Sequence, residues 1–114
     1  MKMLLLGALF CSQSLLANEN HYHPKKILKC SGECTEVQIR TSVPEALSIL
    51  VKAKEIRESW IKVKVEKIEK KKFKKAEEWV VSFYDKSVTD ATKQRLYMFI
   101  SLDGWLNGAN NSGN

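Results

Sequence analysis

The hydrophobic period of the chain changes once, near Trp60, and that change constrains the fold more than any other feature. Upstream, Val43, Ala46, Leu47, Leu50, Ala53 and Ile56 recur at three- and four-residue spacing. Glu45, Ser48, Lys52, Glu55 and Glu58 fall on the other side, so the segment reads as a helix with one apolar stripe. Downstream, Ile61, Val63 and Val65 alternate with Lys62, Lys64 and Glu66, the two-residue period of a strand with one wet face. A one-faced helix must bury its stripe against another layer, and one-faced strands supply that layer. The expected class is α+β: one main amphipathic helix packed on an antiparallel sheet of three to four strands.

Local signals set the element boundaries. Thr35-Glu36-Val37-Gln38 and Ser42-Val43-Pro44-Glu45 both fit a helix-opening capping box. Pro44 lacks an N–H, so one straight helix through both boxes would be strained; a short first turn and a main helix over about residues 42–58 are expected. The alternation slips at Lys67-Ile68, which predicts a bulge or a break. In EWVVSFYD, Trp79, Val81 and Phe83 share one strand face, and Val80 and Tyr84 share the other. Asp103-Gly104 between apolar runs predicts a type I′ hairpin. Its first strand sends Leu96, Met98, Ile100 and Leu102 one way, Tyr97 and Phe99 the other. The domain is expected over residues 35–110, preceded by a flexible tail (18–34) that carries a cysteine pair and followed by a disordered tail (111–114).

Residues 1–17 have the parts of a secretory signal: Lys2, an apolar stretch over 4–10, and Ala17 at the cleavage point. The apolar run falls short of the ~20 residues a membrane-spanning helix needs. Cleavage after Ala17 predicts a periplasmic or secreted product with no transmembrane segment left. A lipoprotein anchored at Cys11 is the rival reading, and the bulk of Phe10 before it argues against that. Only Cys30 and Cys34 remain after cleavage, and an even cysteine count in an exported protein favours a disulfide. The net charge of +6 in an exported chain points to an acidic protein or an anionic envelope component, not to nucleic acid. A monomer is expected.

Residues 78–113 carry Glu78-Trp79-Val80-Val81-Ser82-Phe83, then Lys93-Gln94-Arg95-Leu96-Tyr97-Met98-Phe99, then Leu102-Asp103-Gly104 and Ala109-Asn110. This pattern resembles an uncharacterised family of small exported bacterial proteins. The likeness extends through the Trp60 position and the Glu-Ala-Leu helix to nearly all of the chain after the signal sequence. More distantly, a helix followed by strands that end in an Asp-Gly hairpin resembles the PepSY type of domain. That resemblance implies binding or inhibition and supplies no catalytic residue.

Three clusters are candidates for function. Cys30 and Cys34, with Gly32 between them, fit a small disulfide-closed turn. With His21 and His23 they also fit a soft-metal set for copper or zinc, although no standard spacing is matched. The cysteines alone admit a thiol-redox accessory role. Eight lysines (62, 64, 67, 70, 71, 72, 74 and 75) crowd one hairpin. They read either as an anion-attracting surface or as the wet face of a strand, where lysine also discourages edge pairing. Tyr84, Tyr97 and Phe99 lie on the sheet face away from the helix and, with Lys62 and Lys64 as a rim, form a binding face if that side is open. No Ser-His-Asp set, carboxylate pair or phosphate loop is present in the sequence, and no cofactor is required. The expected function is a non-catalytic binding or inhibitory module; a metal-binding protein is the first alternative.

Overall fold

The computed structural model describes residues 22–114. The expected signal peptide and its expected cleavage after Ala17, the start of the expected tail, and His21 lie outside the described residues.

Helix α1 (Glu36–Lys52) opens on Thr35. The Gln38 N–H donates to the Thr35 hydroxyl oxygen (3.2 Å), and the Thr35 N–H donates to the Gln38 side-chain carbonyl (2.9 Å). Two helix-terminal donors are thereby satisfied reciprocally. The helix runs through Pro44 without a break and ends at Lys52, six residues short of the expected 42–58 segment. The second capping box is no cap: the Ser42 hydroxyl donates to the Ile39 carbonyl (2.7 Å) from inside the helix. The reason is Ile39, which is fully buried and extends the stripe Val43, Ala46, Leu47 and Leu50 one turn upstream. Burying that side chain outweighs the helical hydrogen bond that Pro44 cannot make.

After α1 the alternation of residues 60–65 is misleading. Glu58–Lys62 is a 3-10 turn, which buries Trp60 and leaves Ile61 47% exposed. The first long strand therefore begins later than Trp60. Five strands follow the order of the chain: β1 (Lys25–Lys26), β2 (Val65–Lys72), β3 (Glu77–Tyr84), β4 (Arg95–Ser101) and β5 (Trp105–Asn110). They form one antiparallel sheet in the order β1-β5-β4-β3-β2. The class is α+β as expected, with one strand more than the three to four anticipated.

The helix stripe packs on Trp79, Val81 and Phe83 of β3, Leu96, Met98 and Ile100 of β4, and Leu106 of β5, all buried. These are the alternate positions that the two-residue period puts on one face. The Trp79 indole N–H donates to the Cys34 carbonyl (3.1 Å) and so ties the sheet to the start of α1. Between β2 and β3 the register slips once, from Val65↔Phe83 to Lys67↔Ser82, which makes Glu66 the bulged residue.

The supposed tail at 18–34 is, over its described part, built into the sheet. Lys25 and Lys26 pair with Leu106 and Trp105, and Tyr22, Ile27 and Leu28 pack against the core. The Ile27 and Leu28 N–H groups both donate to the Gly104 carbonyl (2.9 and 3.2 Å). That contact also decides the hairpin. Gly104 has φ 97°, whereas Asp103 does not take positive φ, so the turn is not type I′. Instead the Gly104 N–H donates to the Ser101 carbonyl (3.0 Å), and a left-handed glycine closes a longer loop. A Cβ at Gly104 would stand 2.3 Å from the Leu28 carbonyl oxygen, so only glycine fits.

The other end is corrected in the same way. The Asn110 side-chain oxygen accepts from the Ser112 and Gly113 N–H groups (3.1 and 2.8 Å). Gly113 is buried, at the distance where a Cβ would sit 3.3 Å from the Tyr97 ring. Residues 111–114 fold back over the sheet in place of forming a disordered tail.

Candidate binding surface

The sheet face away from α1 is where the aromatic site was expected. Pairing sets Val80 opposite Phe99, Ser82 opposite Tyr97 and Tyr84 opposite Arg95, so Tyr84, Tyr97 and Phe99 do share that face. They do not form an open patch. Phe73, from the loop between β2 and β3, meets Phe99 edge-on with ring centres 5.8 Å apart, and Phe99 is only 9% exposed. Tyr97 lies under Gly113. Tyr84 stays 40% exposed, but the Arg95 guanidinium lies 4.4 Å from its ring centre. The Phe73 loop and the C-terminal residues, distant in sequence from the side chains they cover, close over these apolar residues, which alternation alone cannot reveal.

Between the Phe73 loop and β5 this face keeps a cavity of about 700 Å³, lined among others by Phe73, Phe99, Lys74, Lys75 and Asn107. The Asn107 amide donates to the Glu78 carboxylate across its wall. A wider groove of about 1080 Å³ lies at the C-terminal end of α1, with His23, Ser48, Lys52 and Glu55 on its rim. The Tyr22 hydroxyl is buried nearby and has no hydrogen-bond partner among the described residues. Burial, and secondarily the charge of Glu55, raises its pKa above the ordinary 10.0.

The lysines are distributed unevenly. Lys67 pairs with Glu69 (3.6 Å), and Lys70 pairs with Glu33 (3.1 Å) while lying 5.4 Å over the Trp79 ring. Glu66, the bulged residue, is taken by Arg95 through two N–H donors at 3.0 and 2.9 Å. Those hydrogen bonds, more than any charge effect, hold its pKa below the ordinary 4.5. The remaining lysines of the cluster (62, 64, 71, 72, 74 and 75) are all exposed and have no carboxylate within ion-pair distance among the described residues. Lys71 and Lys72 end β2, Lys74 and Lys75 occupy the loop after it, and Lys62 and Lys64 precede it. The Arg95–Glu66 fork is the feature that the sequence did not announce. The fork joins strands separated by β3, and no local spacing announces it.

Cys30 and Cys34 form a disulfide, with Cα atoms 5.1 Å apart. Cys34 is buried, and its N–H donates to the Leu102 carbonyl (2.8 Å). Sulfurs bonded to each other are not thiolate ligands, so in this state the set with His21 and His23 lacks two of its four donors. His23 is exposed. Among the described residues no cluster of three or more His, Cys, Asp or Glu side chains forms a metal-holding group. Among them, too, no helix is long and apolar enough to cross a membrane.

Residues 1–114 match the model of a family of unknown function, DUF6488, and the chain belongs to that family. No curated protein and no solved structure matches it.

Proposed function

We propose that this member of a family of unknown function is a non-catalytic binding or inhibitory module, exported to the periplasm by its cleaved N-terminal segment, that engages an acidic protein or anionic envelope component. The likeness to PepSY-type domains belongs to the same proposal, since a helix on an antiparallel sheet used for binding is what that likeness implies. One observation carries the reading: six lysines without ion-pair partners among the described residues, gathered at and around one outer strand. Other cations among the described residues, such as Lys25, Lys29, Lys52 and Lys86, also lack an ion-pair partner, but none of them belongs to so large a cluster as the one between Lys62 and Lys75. Uncompensated like charges repel one another and cost stability, so a cluster that is left unpaired is best explained by what it attracts.

The test uses two defined anions, polyglutamate and phosphatidylglycerol vesicles, with phosphatidylcholine vesicles as the neutral control. Saturable binding to one anion, falling steeply as salt rises, is the expected result, because exposed charges are screened over about 10 Å at 0.1 M salt. Replacing Lys71, Lys72, Lys74 and Lys75 together with glutamine is expected to weaken that binding at least about tenfold while the circular dichroism spectrum is unchanged. No binding to either anion, or equal binding by the variant, defeats the reading.

A further inference from the structure

We infer that the open side of β2 receives an extended acidic peptide segment as a sixth strand of the sheet. This rests on the binding-module reading above and names the partner class for the same lysines. β2 is an outermost strand, paired on one side with β3 and, among the described residues, with nothing on the other. From residue 67 to residue 72 its register with β3 runs without interruption. Its outer row of N–H and C=O groups is therefore regular over that length. The opposite edge, β1, is two residues long and offers no comparable row. A row of alternating backbone donors and acceptors is completed by another backbone, which a lipid headgroup or a polynucleotide does not provide.

The side chains then select among strands. Lys71 and Lys72 stand on β2 and Lys74 and Lys75 just beyond it, all exposed and without an ion-pair partner among the described residues. The acidic residues of β2 do not offset them. Glu66 is held by Arg95 and Glu69 by Lys67. A second copy of this chain, adding through its own β2, would bring one lysine-dense strand against another, and like charges facing across a pair are unfavourable. A strand carrying glutamate or aspartate at alternate positions reverses that sign. Lysine on this edge thus excludes self-pairing and admits an acidic strand, with one set of charges serving both ends.

The probe is a short peptide of alternating threonine and glutamate, added to the oxidised protein and followed by amide hydrogen exchange. At saturation the exchange of amides within Val65–Lys72 is expected to slow about tenfold or more, while amides of α1 keep their rates. Peptides of the same charge, N-methylated at every second residue in either phase, lose donors along one edge; at least one of the two is expected to bind about tenfold more weakly. If both methylated peptides bind like the parent, or β2 stays unprotected at saturation, strand addition is overturned while the acidic-partner reading stands. If neither the peptides nor polyglutamate nor anionic vesicles bind, both readings fall. Binding to vesicles but not to the peptide overturns the inference alone. So does a dimer of the protein by itself, seen in sedimentation with β2 protected.

Discussion

Glu66 shows how one extra residue in a strand acquires a role. The bulge that displaces it from the ladder lets its carboxylate accept both N–H groups of Arg95, whose guanidinium lies over Tyr84. The carboxylate is held below its ordinary pKa of 4.5, chiefly by those hydrogen bonds. Asp85, Asp90 and Asp103 are lowered from 3.8, first of all by the hydroxyls of Ser87, Thr92 and Ser101. A carboxyl group with a depressed folded pKa contributes stability above its unfolded pKa and loses that contribution as pH falls through the folded value. Acid should therefore destabilise this protein below the ordinary carboxylate range, with Glu66 contributing. Comparing urea midpoints of the parent and Glu66→Gln should show the variant weaker near neutral pH and the gap closing in acid. A constant gap at all pH values would mean the ion pair does not titrate as described. The slip that creates the bulge is legible as a break in alternation at Lys67-Ile68. Its partner is not, because Arg95 follows two loops and another strand.

At the level of elements, periodicity located what it could and erred where burial was decided elsewhere. Residues 79–83 and 96–100 alternate over a full strand length, and their faces are as the alternation implies. Ile61, Val63 and Val65 also alternate, yet Trp60 turns inward in a 3-10 turn and leaves Ile61 in solvent. A run of three apolar residues is too short to outweigh one large ring seeking the core. In α1 the conflict was between local signals. Pro44 argued for a break and Ile39 for continuity, and Ile39 prevailed because it is fully buried. Pro44 itself is exposed, so the helix retains it at the cost of one hydrogen bond and a crowded turn. Pro44→Ala restores the missing donor in an otherwise regular helix. It should raise stability by about 1–3 kcal/mol, the scale of an interior-helix proline penalty. Chemical unfolding reads this directly, and an unchanged or lowered midpoint would show that the turn around Pro44 is already relaxed.

For the molecule as a whole, the segment least legible in sequence proves to be tied into the fold at several points. Residues 22–34 have neither helical nor strand period, yet they add β1 to the sheet, meet Gly104 in a contact only glycine permits, and lead through the disulfide into α1. Apart from the disulfide, these links join positions distant in sequence, as do those from Cys34 to Leu102 and Trp79 and from Glu33 to Lys70. The cysteine spacing revealed the disulfide itself, whereas its neighbours became visible only with the topology. The lysine cluster was plain in composition, but its meaning depends on which lysines are paired and on β2 being an outer strand. These facts together separate the roles of the two regions. The disulfide closes a loop of only a few residues, so its loss should cost about 2 kcal/mol through the greater freedom of the unfolded chain. Reduction should accordingly lower the urea midpoint by a corresponding amount. Under conditions where the reduced protein remains folded, its affinity for an acidic ligand should change less than twofold, because the six unpaired lysines do not depend on the sulfur bond. A loss of binding much larger than the loss of stability would move the functional centre from the lysine edge to the cysteines and revive the thiol-redox alternative.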